Sequence, residues 1–91
     1  MISSAMTKYL IGRFADFPET ELCFVFRYLT DFYSNPNRNR LLSEDKKLAL
    51  INALDPYIGQ DVKSSRIFLA AANLFYVVAI KDLEIMVAEQ V

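Results

Sequence analysis

Ile67-Phe68-Leu69-Ala70-Ala71-Ala72-Asn73-Leu74-Phe75-Tyr76-Val77-Val78-Ala79-Ile80 has one clearly polar side chain, Asn73, and lies within a span from Val62 to Glu89 that holds neither glycine nor proline. A run of that length without a breaker reads as helix, since buried strands end after about four to eight residues. Taken as one helix, the span is about 42 Å long, against about 31 Å for the diameter of a compact chain of this size. The helix therefore either breaks or projects toward a partner. The apolar run is shorter than the roughly 20 residues a bilayer-spanning helix needs, and Lys81, Asp82 and Glu84 follow it directly. We expect no membrane span. Its polar stripe is thin, Arg66, Asn73, Lys81 and Glu84, which marks it as the central helix that the others wrap.

Three further helices are expected upstream. Met6, Leu10, Phe14 and Phe17 fall at helical spacing and predict a first helix over Ser4 to Ala15, with Gly12 inside it at a cost of about 1 kcal/mol. Asp16-Phe17-Pro18-Glu19 reads as a restart, with Asp16 as cap, Pro18 in the first turn and Glu19 completing a capping box. The second helix then carries Leu22, Val25, Phe26, Leu29 and Phe32 on one side and Thr20, Arg27, Asp31 and Ser34 on the other. Ser34 to Arg40 is rich in turn formers and predicts an exposed loop. Ser43, followed by Glu44 and Asp45, caps a third helix whose apolar stripe is Leu48, Ile51, Leu54 and Ile58, and which Asp55-Pro56 should stop or kink. Asp61 or Ser64 then caps the last segment. The expected fold is all-α: a small four-helix bundle with a long, apolar C-terminal helix at its centre, forming one domain over residues 1–91.

Composition narrows the function more than any motif does. Apolar residues make up 54% of the chain, and two glycines and three prolines punctuate it, so it folds and has apolar surface to spare. Ten basic and eleven acidic residues leave a net charge of -1, which gives no global field for nucleic acid or an anionic membrane. A single cysteine, Cys23, excludes an internal disulfide and fits a reducing, cytoplasmic setting. Met1 to Thr7 lacks the basic start and apolar core of a secretory leader, so the chain is expected to begin at Met1.

No histidine is present, so histidine-based acid/base catalysis, nucleophile activation and metal ligation are excluded, and with one cysteine a structural zinc site is excluded too. Two glycines cannot build a phosphate-cradling loop, and no such motif occurs. The acids cluster as Asp16, Glu19 and Glu21 and as Glu44 and Asp45, where carboxylates stabilise helix starts. We expect no enzyme, no cofactor and no metal; an enzyme would need a polar cleft around Asp31, Tyr33 or Tyr57.

Two surfaces remain. Asn35, Arg38 and Arg40, continued by Lys46 and Lys47, form a basic set suited to an acidic protein patch or, as the alternative, to nucleic acid. A helix-turn-helix reading, with Val62 to Arg66 opening the recognition helix, is the weaker form of that alternative, because the run after Arg66 must be buried. The aromatic stripe of Tyr9, Phe14, Phe17, Phe24, Phe26, Phe32, Phe68, Phe75 and Tyr76 is expected mostly in the core. Its excess falls near the C-terminus, where Phe75, Tyr76, Ile80, Leu83, Met86 and Val87 are expected to mediate self-association as a homodimer. The expected function is a non-catalytic protein–protein interaction module: a small regulator, inhibitor or immunity-type protein that binds another protein, or itself, through helical surfaces. The alternative is a nucleic-acid-binding regulator using the basic stretch 35–47.

Overall fold

The computed structural model describes residues 4–59 and 64–80, and these are all-α. α1 (Ser4–Ile11) leads through a 3-10 turn (Phe14–Asp16) into α2 (Glu19–Tyr33). α3 (Pro36–Arg40) and α4 (Glu44–Ile58) follow, and α5 (Ser65–Phe75) runs directly into a π-helix (Tyr76–Ile80). Each of the four expected helices has a counterpart. α3 is the addition, in the stretch expected to be an exposed loop.

The reason for α3 lies in its first residues. Asn35 has extended backbone and its side chain accepts from the Asn37 N–H at 2.9 Å, while Pro36 takes the first helical position, where a missing N–H leaves no bond unmade. The Asn-Pro pair that signals a turn is also a helix start. The short helix carries Asn39 into the interior, where its Nδ2 donates to the Tyr33 carbonyl at 3.2 Å and to the Val77 carbonyl at 3.1 Å. This one amide joins the end of α2 to the π-helix.

The starts of α2 and α5 are joined as well. Ser64 caps α5, accepting from the Ile67 N–H at 3.3 Å, and its hydroxyl donates to the Glu19 carboxylate at the head of α2. With starts and ends both tied, α2 and α5 run parallel, and theirs is the most extensive helix contact in the fold. The core follows from that pairing: Leu22, Phe26, Leu29 and Tyr33 of α2 meet Ile67, Ala70, Ala71 and Leu74 of α5, with Leu50 and Leu54 of α4 against them.

Several local expectations are corrected. α1 ends at Ile11, so Gly12 lies just past the helix rather than inside it. Asp16 does not cap α2: it is in the 3-10 turn and pairs with Arg13 at 3.4 Å, and Pro18 stands at the cap, its carbonyl accepting from the Leu22 N–H at 2.8 Å. α4 carries Pro56 in its last turn and stops two residues later at Ile58, with Gly59 as its cap. Leu48, expected in the α4 stripe, is exposed, and Leu50 and Leu54 are the residues turned inward. Of the long terminal helix expected, the described part is α5 from Ser65 and a change to i→i+5 register at Tyr76; the part beyond Ile80 lies outside the described residues.

α1 departs furthest from its apolar pattern. Its most buried residue is Thr7, whose hydroxyl shares a hydrogen bond of 2.5 Å with the Tyr33 hydroxyl, and Phe14 continues the inner side after the helix ends. α1 therefore docks through a hydroxyl pair as well as through Leu10 and Ile11, which pack against the core. That leaves Met6 and Tyr9 exposed and Leu10 half-buried.

Phe14, Phe26 and Tyr57 form an edge-to-face aromatic cluster, with Tyr57 at 6.4 Å from Phe14 and 5.4 Å from Phe26 between ring centroids. Burial raises the Tyr57 phenol above its ordinary value of 10.0. A group whose pKa is higher folded than unfolded gives stability that is complete below the unfolded value and is lost as pH rises through the folded one. Thermal unfolding followed through the alkaline range is expected to show wild type losing stability above about pH 10. Tyr57→Phe should lose less over the same range, and an identical slope in both proteins would refute this.

Candidate functional site

α2 builds the site because its outer side is not polar throughout. Its inner side buries Leu22, Phe26, Leu29 and Tyr33, and the outer side carries Thr20, Glu21, Arg27 and Asp31, all exposed. Among these polar residues stand Phe24, 62% exposed, and Tyr28, 54% exposed. They follow each other at i and i+4 and so lie on one strip of the helix.

Beside that strip is α1, offering its own i, i+4 pair, Met6 and Leu10. Met6, Leu10, Phe24, Val25 and Tyr28 line a groove of about 400 Å³ between the two helices. No charged side chain lines it. Apart from the Tyr28 phenol its lining is hydrocarbon and aromatic ring, and such a groove can remove hydrocarbon from water, at about 1.5–3 kcal/mol for each large side chain fully buried there. On the other flank of α2 is a smaller recess of about 250 Å³, lined by Cys23, Arg27, Arg66, Leu69, Ala70 and Asn73. Neither arginine has an ion-pair partner among the described residues.

The basic set read from the sequence is dispersed over two helices and several tasks. The Asn35 side chain is spent on its cap, and the Arg38 guanidinium lies over the Phe32 ring at 4.6 Å. Arg40 is exposed at the end of α3, and Lys46 and Lys47 are half-buried early in α4. Of the residues expected to mediate self-association, Phe75 is half-buried and Tyr76 and Ile80 are exposed on the π-helix; Leu83, Met86 and Val87 lie outside the described residues.

The aromatic stripe is less internal than expected. Phe14 and Phe26 are buried and Phe17, Phe32 and Phe75 partly so, but Tyr9, Phe24, Phe68 and Tyr76 are exposed. For Phe24 the signal was present: on a helical wheel it falls between Asp31 and Glu21, in the polar sector of α2. The residues suggested for an enzyme do not form one site. The Tyr33 hydroxyl is held by Thr7, Tyr57 packs among phenylalanines, and Asp31 is exposed on the outer side of α2. Among the described residues no group of histidine, cysteine and acids is placed to hold a metal ion, and no helix is long and apolar enough to cross a membrane. Compared with protein families, with curated proteins and with solved structures, the chain matches none.

Proposed function

We infer that the protein works by binding another protein chain through the outer side of α2 and the groove that α2 forms with α1, as a non-catalytic interaction module. The observation that supports this is the groove itself. Phe24, Tyr28 and Met6 are large apolar side chains left largely in water, although the core beneath them is closed by other residues. Exposed apolar side chains scattered singly are ordinary, whereas a contiguous set with concave shape is the usual mark of an interface. Aromatic residues and methionine are also the types enriched at the centres of protein interfaces. A role as a regulator, inhibitor or immunity-type protein is compatible with such a surface. Nothing in the arrangement of Arg38, Arg40, Lys46 and Lys47 favours nucleic acid over protein.

A photo-crosslinking amino acid placed at position 28 and activated in cells tests the reading. One adduct of discrete mass is expected, lost when Phe24→Asp is introduced in the same chain and absent when the crosslinker stands at Asp55 on α4 instead. No adduct, or adducts unchanged by Phe24→Asp, would sink the reading.

A further inference from the structure

We propose that the recess between α2 and α5 is an anion site that takes a side-chain carboxylate of the partner chain, so that the partner carries an acidic residue beside its apolar contact. The proposal rests on the protein-binding reading above and names the chemistry of the partner. Arg13 pairs with Asp16 and lies over the Tyr9 ring, and Arg38 lies over the Phe32 ring. Arg27 and Arg66 differ from these: among the described residues they pair with no acid and lie over no ring. They come from different helices, yet they line the same recess. Arg66 stands in the first turn of α5, where a positive charge opposes the helix dipole, so helix stability does not account for it.

Much of the recess is apolar, since Cys23 and Ala70 are buried and Leu69 adds hydrocarbon to the lining. A guanidinium beside hydrocarbon is less screened than one in open water, which strengthens its attraction for an anion. Each guanidinium carries five N–H donors and the Asn73 amide two more, and a carboxylate accepts at both oxygens, so one carboxylate can take bonds from more than one of these groups. A polyanion such as nucleic acid fits less well. Asp31, one turn beyond Arg27, and Glu21 are exposed on the same outer side of α2 and repel a ligand that presents charge after charge. Glu19, at the head of α2, is hydrogen-bonded to Ser64 and pairs with neither arginine. α2 separates this recess from the apolar groove that it forms with α1. A helix with its side chains is about 10 Å across, so a partner lying over α2 presents its acid about 10 Å from its large apolar residue. That spacing is about seven residues along a helix or three along an extended strand.

Two measurements test the proposal, with circular dichroism confirming that each variant is folded. In the first, capped hexamers of glutamate and of glutamine are titrated into the protein while NMR follows the Arg27 and Arg66 Nε–H and the Asn73 Nδ2–H signals. The glutamate hexamer is expected to shift these signals saturably and the glutamine hexamer to leave them in place. Arg27→Gln and Arg66→Gln should each weaken the binding about fivefold or more. Equal responses to the two hexamers, or an affinity that neither substitution changes, would overturn the proposal. Inorganic phosphate that binds more tightly than the glutamate hexamer also overturns it and gives the recess to a phosphate. In the second measurement, the crosslinker at position 28 is combined with Arg27→Glu or Arg66→Glu, and each reversal is expected to lower the adduct yield about fivefold or more. An adduct that both reversals leave at its wild-type yield removes the carboxylate contact and keeps the protein-binding reading. No adduct from the chain with both arginines intact removes both.

Discussion

Asn39→Asp is expected to abolish stable folding at neutral pH. The wild-type amide spends its two N–H donors on the Tyr33 and Val77 carbonyls, at 3.2 and 3.1 Å, in a position only 4% exposed. A carboxylate there has no donor for either carbonyl and adds a buried charge facing two oxygens. Leaving the two carbonyls unsatisfied costs about 1–3 kcal/mol each, and burying the charge costs several kcal/mol more. The sum rivals the whole stability of a small domain, about 5–15 kcal/mol. The effect has a pH sign. Burial raises the new carboxyl above its unfolded value, so the variant is most stable when protonated and loses stability as pH rises through the folded pKa. Thermal melts by circular dichroism should therefore show Asn39→Asp partly recovered in acid relative to neutral pH, with Asn39→Ala damaged to a similar degree at both. An Asn39→Asp protein that melts with wild type at neutral pH would remove Asn39 from this role.

Phe26→Ala is expected to cost about 3–5 kcal/mol, since it empties a site that is fully buried. Phe26 holds Phe14 at 5.0 Å, edge to face, and Tyr57 at 5.4 Å, so its loss also dissolves the aromatic cluster that joins the 3-10 turn, α2 and α4. For a chain of this size that corresponds to a fall in Tm of roughly 15 °C or more. Phe24→Ala, two residues away on the same helix, should change stability by no more than about 0.5 kcal/mol in the monomer. Urea denaturation of both variants at low protein concentration separates them. Equal losses would mean that the inner and outer sides of α2 are assigned wrongly.

The helical character and much of the helix order were legible because they rest on apolar periodicity and on caps formed by neighbours in sequence: Ser43 caps α4 as read, and Ser64, one of the two residues read for that place, caps α5. Three things were not. α3 was hidden because Asn-Pro serves equally to start a turn and a helix, and its helical outcome is accompanied by two bonds from Asn39 to distant carbonyls. Thr7 was missed on the inner side of α1, beside Leu10 and Phe14 of the expected stripe, because nothing local to it announces a partner 26 residues away. The change of register at Tyr76 follows no breaker, for the segment contains neither glycine nor proline. Of the candidate face, the polar sector of α2 was legible and its two exposed aromatic rings stood in it. Their exposure depends on how α1 sits, which periodicity does not give.

The parallel pairing of α2 with α5 has a consequence for how the chain is made. Glu19 and Ser64, which close one end of the pair, are 45 residues apart, and Asn39 and Val77 at the other end are 38 apart. Contacts so distant form only after a long loop has closed, a slow step compared with winding a single helix. During synthesis, Leu22, Phe26 and Leu29 emerge long before the residues that cover them, Ile67 to Val78. A nascent chain stopped before α5 holds α1 to α4 with the inner side of α2 uncovered, so a truncated product should be retained by chaperones rather than released as a smaller folded protein.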